Sequence, residues 1–336
     1  MDRNQPAYSS TSSWSTQVID AIKAASSSID LSSYDLDSDG FIGRAELQIV
    51  VVVTGDELSS SSSNYGVWAH VSGKTNGWKI GKVRIGALEK GAAKSKYATF
   101  GEQLYGRAAP IGVMAHELGH SALNLIDLYD ISSGTGPGIG RFGLMGKGTG
   151  GSKTRTQPPG TSPTHFSAYS KARALFAYPQ TLNVEQKNVP LVSTSQEPIY
   201  YKIPIASYEF NAYYGRNKEQ YFLLENRSFG YDLGFGKGFS QNGLSLNGYF
   251  AGGMLISHID ERRTSNGTAD SFLMKAVQAN STKLDHLNSF FFKGNKTEFT
   301  DTTTPNTKQQ DGTSTGISIT NISEPGEIMY FDIKFD

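Results

Sequence analysis

Residues 108–124 read AAPIGVMAHELGHSALN, and the interpretation of the whole chain starts from this stretch. Its composition predicts a helix. Pro110 suits a first helical turn, where a missing N–H costs nothing, and Asn124 suits the left-handed position that ends a helix. His116 and His120 stand four residues apart and therefore share one helical face. The sequence thus predicts a helix that presents two imidazoles side by side.

The spacing of the two histidines predicts a metal site. Two imidazoles at positions i and i+4 can hold one zinc ion together. Glu117 follows the first histidine, and its carboxylate can act as general base towards a water molecule that the zinc activates. The plain alternative is a helix with two ordinary polar histidines, and the residues that follow argue against it. The stretch therefore predicts the active-site helix of a zinc peptidase.

A third zinc ligand is expected just beyond the helix. A carboxylate there can turn back towards the imidazoles and leave a fourth position for water. Asp127 is the predicted ligand and Asp130 is the alternative, although ordinary turn chemistry would also explain both aspartates. The intervening turn requires a residue that tolerates positive φ, which Asn124 does. Further along, Met145 lies in the Gly-rich turn FGLMG at 142–146.

These features together resemble the metzincin clan of zinc peptidases. More narrowly, they resemble the immune inhibitor A family of secreted bacterial metallopeptidases. The similar blocks lie at 111–120, 126–130, 143–146, 163–171, 221–227 and 253–260. The chain departs from that family at Asn124, where Gly is usual, and at 175–178, where LFAY replaces a more usual Leu-Gly-Trp. The resemblance implies a zinc endopeptidase in which Met145 forms an apolar floor beneath the metal without binding it.

A second metal signal lies at residues 35–46, DLDSDGFIGRAE. Alternating carboxylates, Gly at the sixth position and Glu at the twelfth give the spacing of an EF-hand calcium loop. The three aspartates would supply side-chain oxygens, the residue at the seventh position would supply its backbone carbonyl, and the glutamate would supply two oxygens. The predicted calcium ligands are Asp35, Asp37, Asp39, Phe41 and Glu46. The alternative is an acidic solvated turn, but every ligand position of the loop is filled.

The residues around the acidic loop predict a structural role for calcium. A helix is predicted at about residues 14–27, before the loop. After it comes LQIVVVVT at 47–54, a β-branched apolar run typical of a buried central strand, where a calcium sensor would continue as a helix. Residues 67–71 are also strand-like, and residues 97–101 are predicted to form the edge strand of the substrate cleft. One loop that leads into a strand indicates structural calcium.

Composition narrows the class of protein. The 336 residues carry 31 basic and 31 acidic side chains, and without a basic run they argue against a nucleic-acid partner. The longest apolar stretch, 49–53, is far shorter than a transmembrane segment. The chain has no cysteine and therefore forms no disulfide bond. The polar start MDRNQP shows no signal peptide, so we expect a processed form without leader and propeptide. A calcium site favours a secreted protein.

The chain is predicted to be α+β with two domains. Residues 1–180 would form a metzincin-like catalytic domain with a mixed sheet, the active-site helix and the inserted calcium loop. Residues 181–336, where short apolar runs alternate with turns, would form a β-sandwich-like domain packed on the first. The predicted function is a secreted, calcium-stabilised zinc endopeptidase that hydrolyses proteins or peptides.

Two other functions are compatible with parts of the sequence. The chain could be a catalytically inactive, peptidase-like adhesin or binding protein. The intact general base Glu117 argues against this, because a binding protein has no need of one. A zinc hydrolase with a non-peptide substrate would use the same metal chemistry.

Overall fold

The structure is a computed structural model that describes residues 11–60, 66–88, 95–130, 138–151, 158–194, 196–211, 216–228, 252–267, 272–280 and 287–336. These residues form a mixed α+β protein with few helices and several separate sheets. The α-helices are Thr11–Ala25 (α1), Ile111–Ser121 (α2) and Ala168–Arg173 (α3). None of the described helices combines the length and apolar character that a membrane span requires.

The chain divides into two compact units, Met1–Leu125 and Ile126–Asp336. The boundary between these units lies four residues after the end of α2. The predicted division into a catalytic domain, residues 1–180, and a β-rich domain, residues 181–336, stays a prediction.

The first unit contains a five-stranded sheet and a separate hairpin. The sheet strands are Ile49–Glu57 (β1), Gly66–Val67 (β2), His70–Ser72 (β3), Tyr97–Leu104 (β6) and Arg107–Ala108 (β7), and the hairpin consists of Trp78–Ile80 (β4) and Val83–Ile85 (β5). The strand order is β2-β1-β6-β3, with β7 paired to the end of β6. Strand β1 runs parallel to β2 and β6, whereas β3 runs antiparallel to β6.

The predicted edge strand at 97–101 was assigned wrongly. Strand β6 lies inside the sheet, because β1 pairs with one side of it and β3 with the other. Among the strands of the described residues, β3 forms the antiparallel edge beside residues 97–99 of β6, and the two-residue β7 forms it beside residues 103–104. A strand of three residues gives almost no periodic signal, which is why the sequence pointed to the longer apolar run instead.

Helices cover both faces of this sheet, but unequally. On one face, Ile49 and Val51 of β1 pack with Val18 and Ile22 of α1. On the other face, α2 packs over β6 and β3. The alternate β1 side chains therefore remain open, and Val52 is 57% exposed. The prediction of a fully buried strand at 47–54 was accordingly wrong for one of its two faces, since a central strand is buried only where a helix covers it.

The second unit consists mainly of two antiparallel-rich sheets that share one apolar core. The larger sheet has the order β13-β12-β11-β10-β8 and the smaller one β14-β15-β9. The strands are Gln180–Thr181 (β8), Gln186–Val192 (β9), Tyr201–Asn211 (β10), Arg216–Ser228 (β11), Gly252–Asp260 (β12), Met274–Ala276 (β13), Ile317–Thr320 (β14) and Ile328–Phe335 (β15). Side chains from both sheets, among them Leu224, Ile256 and Phe331, meet in the core. The short apolar runs predicted in this region are confirmed as strands.

Candidate metal centre

Helix α2 carries the predicted zinc ligands on a short, well-defined segment. Pro110 is its N-cap, with an extended backbone, and the helix ends at Ser121, so it is shorter than the predicted 108–124. Val113, Met114 and Leu118 pack against the sheet of the first unit. These apolar contacts fix the orientation of the helix on the sheet, and the two histidines are not among the residues that make them.

The two imidazoles stand at the separation that one zinc ion requires. Their Nε2 atoms are 3.2 Å apart, and the ring planes meet at 89°. Two nitrogen ligands at the usual Zn–N distance on a tetrahedral ion are about 3.3 Å apart. His116 is buried, with 7% of its surface exposed, and His120 is partly buried. The pair therefore fits a tetrahedral metal ion without rearrangement.

A backbone carbonyl orients His120. Its Nδ1 lies 2.7 Å from the carbonyl oxygen of Leu125. Because a carbonyl can only accept, Nδ1 carries the proton and Nε2 keeps its lone pair for a metal. Leu125 is held there by its own N–H, which donates to the Gly119 carbonyl at 3.0 Å. Asn124 makes the turn with φ of 52°, so the predicted left-handed position is confirmed.

The structure places Asp127, and not Asp130, with the two histidines. Ligand atoms of His116, His120 and Asp127 all lie within 4.8 Å of one another. Asp130 is buried, with 4% exposed, and lies outside this group. Glu117 follows His116 on α2 and is partly buried. The arrangement offers two nitrogens and one carboxylate, which is a common protein ligand set for zinc. The predicted ligand and base roles stay predictions.

The loop of Asp127 is tied to the predicted methionine turn. The N–H of Leu128 donates to the carbonyl of Met145 at 2.7 Å. Met145 is fully buried, and the turn is closed by the Gly146 N–H, which donates to the Gly143 carbonyl at 2.9 Å. A Cβ on Gly146 would lie 2.3 Å from the carbonyl oxygen of Gly140, so the turn depends on glycine there.

Three histidines outside the ligand group, His165, His70 and His258, make contacts elsewhere in the described residues. His165 supports the methionine turn with its backbone, because its carbonyl accepts from the Leu144 N–H at 3.1 Å. His70 lies in β3, and its Nδ1 is 2.7 Å from the Trp68 carbonyl. His258 is buried in β12, with its Nε2 2.9 Å from the Gln220 side-chain nitrogen. Burial lowers the pKa of His258 to about 4.

Residues 35–46 form a compact acidic loop. Ligand atoms of Asp35, Asp37 and Asp39 lie within 4.8 Å of one another, and Gly40 adopts a positive φ of 82°. Glu46 lies outside that group. Its Oε2 accepts from the Gly43 N–H at 2.6 Å and its Oε1 from the Leu36 N–H at 2.7 Å. The bond from Gly43 lowers the pKa of Glu46. The glutamate thus closes the loop as a charged group.

The acidic loop is also joined to the hairpin of the first unit. Phe41 forms a β-bridge with Arg84 of β5. The Ile42 N–H donates to the Arg84 carbonyl at 2.7 Å, and the Arg84 N–H donates to the Gly40 carbonyl at 2.9 Å. The sequence gave no indication of this contact, because the two segments are about forty residues apart.

Comparison with known proteins agrees with the resemblance inferred from the motifs. A search of curated proteins found no match. A family model described as "Immune inhibitor A peptidase M6, catalytic domain" matches residues 10–177, half of the chain. The matched range contains α2, the Asp127 loop, the methionine turn and the acidic loop. The chain therefore belongs to the immune inhibitor A family of M6 peptidases, and it is a metallopeptidase that acts on proteins.

Proposed function

We propose that the protein is a secreted zinc endopeptidase that cleaves extended polypeptides and is stabilised by calcium. The observation that carries the proposal is the group formed by His116, His120 and Asp127, whose ligand atoms lie within 4.8 Å. Glu117, next to the first ligand on the same helix, supplies the acid–base group that such a centre needs. A metzincin-like catalytic domain followed by a sandwich-like β region is the fold that we propose with it.

The residues of the site divide the chemical work between them. Zinc held there would polarise the scissile carbonyl and bring the pKa of a water molecule towards neutrality. Glu117 takes a proton from the attacking water and passes it to the leaving amine. The Leu125 carbonyl keeps His120 in the tautomer whose Nε2 lone pair is available. The bond between Leu128 and Met145 fixes the loop that carries Asp127.

Strand β3 supports an extended substrate. It is an edge among the strands of the described residues, and it lies against α2. An edge strand presents backbone donors and acceptors to which an extended peptide can add as a further strand. A peptide bound there would run alongside the helix that carries His116 and Glu117. This geometry favours an endopeptidase, because the chain could continue in both directions along the strand.

The acidic loop supports the calcium and secretion parts of the proposal. Three aspartates converge, and their mutual repulsion is relieved by a divalent cation. The loop joins α1 to β1, so an ion there would brace the sheet of the first unit. Extracellular calcium-binding modules work at millimolar calcium, which favours an exported protein.

The experiment that tests the function is Glu117→Gln, measured for bound zinc and for cleavage of a protein substrate. The variant keeps both imidazoles and should bind zinc as the wild type does. It should lose turnover by at least about a hundredfold, the usual contribution of a general base. Glu324→Gln, at an exposed position, is the matched control and should behave as wild type. Near-normal cleavage by Glu117→Gln would show that another group is the base.

The third ligand is tested by a pair of aspartate variants. Asp127→Ala removes a carboxylate from the ligand group and should weaken zinc binding by at least about tenfold. Asp130→Ala, three residues later, should leave zinc affinity close to that of the wild type. A larger loss for Asp130→Ala would reverse the assignment.

A further inference from the structure

A buried carboxylate that belongs to neither group of possible metal ligands lies at the end of β1. Glu57 is 3% exposed. Its Oε1 accepts from the backbone N–H groups of Ser59 and Ala69, both at 3.0 Å, and its Oε2 accepts from the Gly101 N–H at 2.9 Å. We call these four residues the Glu57 network. One side chain thus bonds to three separate stretches of backbone.

The backbone around Glu57 is shaped to allow this contact. The β1–β6 register shifts between Val53 and Asp56, where β1 contains one extra residue. Such a bulge bends the strand and redirects the side chains that follow it. A Cβ on Gly101 would lie 2.5 Å from the Glu57 nitrogen, so only glycine lets the two strands approach this closely. The bulge and the glycine together allow the Glu57 carboxylate to reach the backbone N–H of Gly101 in β6.

The Glu57 network leads to the edge strand. Ala69 lies in the two-residue connection between β2, at one edge of the sheet, and β3, at the other. Outside the regular strands, its N–H has no strand neighbour to accept it and bonds to the carboxylate of Glu57. The next residue, His70, begins β3. Glu57 therefore fixes the point at which β3 enters the sheet.

The same network supports the helix that bears the metal ligands. The Ala69 side chain is 2% exposed and belongs to an apolar cluster with Ala98 and Phe100. Partly buried residues packed against that cluster are Val71 of β3 and Val113, Met114 and Leu118 of α2. Ala69 and Val71 therefore both contact the apolar cluster that α2 covers. A shift of Ala69 would therefore displace β3 relative to α2.

We propose that Glu57 is a positioning residue for substrate binding, which holds edge strand β3 in the register that aligns an extended peptide with α2. This inference rests on the proposed function. Glu57 acts through the backbone of Ala69 and Gly101 and touches neither substrate nor metal. Its effect should grow with the length of peptide that pairs with β3, since a short peptide makes few contacts along the strand.

The test compares two peptides that share one scissile bond, an octapeptide and a tetrapeptide, on wild type and Glu57→Gln. The amide keeps only one acceptor oxygen, and its NH2 group would face a backbone N–H at the other end of the network. We expect the ratio of kcat/KM for the long peptide to that for the short one to fall roughly tenfold, the scale of one buried hydrogen bond to a charged group. The loss should lie in KM of the octapeptide, with bound zinc unchanged.

Asp56→Asn is the matched control, because it removes the same charge one residue earlier and leaves the Glu57 network intact. It should keep the wild-type ratio. If Glu57→Gln lowers cleavage of both peptides equally, the residue only stabilises the fold and the inference is overturned. If the wild type cleaves neither peptide, the proposed function itself fails, and this result differs from an equal loss of both activities in the variant.

A second measurement does not depend on the folding of a Glu57 variant. Hydrogen exchange of the Glu117→Gln protein is followed with and without the octapeptide. Slow exchange at the Ala69 and Gly101 amides, and further protection in His70–Ser72 when the peptide binds, would support the inference. Peptide binding that leaves the amides of β3 unchanged would overturn it.

Discussion

Replacing Glu225 by Gln should destabilise the second unit strongly. Glu225 and Arg227 are both fully buried on β11, and Nη1 of the arginine lies 3.0 Å from Oε2 of the glutamate. The substitution leaves the guanidinium buried without its counter-charge. Breaking a buried ion pair from one side typically costs about 3–5 kcal/mol. For a unit of this size, that loss corresponds to a fall in Tm of about 10 °C.

The same pair should matter for activity, because it holds the segments on either side of the methionine turn. Arg227 donates to the Phe142 carbonyl at 2.9 Å and to the Phe166 carbonyl at 3.3 Å. Oε1 of Glu225 accepts from the Ala168 N–H at 3.2 Å. Met145 lies between Phe142 and Phe166 in the sequence. We therefore expect Glu225→Gln to lower peptidase activity at temperatures where the protein is still folded.

The assay must report on the second unit. All three tryptophans, Trp14, Trp68 and Trp78, belong to the first unit, so calorimetry or near-UV circular dichroism of tyrosines is preferable to tryptophan fluorescence. The control is Glu324→Gln, which breaks the exposed pair with Lys293 at 3.3 Å and should cost at most about 1 kcal/mol. A loss for Glu225→Gln no larger than that of the control would refute the reasoning.

Three further predictions concern pH, packing and calcium. The folded pKa of His258 is lowered by burial to about 4, so its contribution to stability is complete above the unfolded pKa of about 6.5 and is lost as pH falls towards 4. His258→Gln should therefore reduce the fall in the free energy of unfolding between pH 7 and pH 4.5 by about 2 kcal/mol in urea titrations, and an unchanged fall would contradict this. Gly101→Ala should lower Tm by several degrees or prevent folding, because its Cβ would lie 2.5 Å from the Glu57 nitrogen, whereas Gly150→Ala, with nothing within 4 Å, should be tolerated. A calcium-selective chelator should lower Tm while zinc stays bound, because calcium at a hundredfold excess over its Kd would add about 3 kcal/mol to the free energy of unfolding. Asp37→Ala should reproduce this loss. If Tm does not change with calcium concentration, the loop is only an acidic turn.

The sequence was most informative where the chemistry is local. The four-residue spacing from His116 to His120 is enough to place two imidazoles on one helical face, and the structure has their Nε2 atoms 3.2 Å apart. Asn124 was expected to adopt a positive φ because few other residues tolerate one, and it does. The strands of the second unit were visible as apolar runs between turn residues. In each case the deciding interactions lie within about one element of the chain.

The sequence was least informative where partners are distant along the chain. Whether a strand is an edge depends on its neighbours, so β6 was mistaken for the edge, and the strand-like stretch 67–71 was not recognised as parts of two short strands, of which β3 lies at an edge. The exposure of Val52 follows from the position of α2 over β6 and β3, which no periodicity encodes. The Leu125 carbonyl that orients His120 is a backbone atom and has no residue-type signal at all.

The support of the metal centre therefore extends well beyond the residues that form it. The ligand group spans only residues 116–127, but the turn beside it is held by Arg227, about eighty residues further along the chain. The acidic loop has its distant partners at Arg84, but through backbone bonds that a side-chain substitution there would leave in place. Because removing one partner of a buried ion pair typically costs several kcal/mol, substitutions at Glu225 and Arg227 should impair the enzyme almost as severely as substitutions near the metal. A scan of variants restricted to residues 116–127 would miss them, whereas one guided by buried charge, at Glu57, Glu225 and Arg227, would include them.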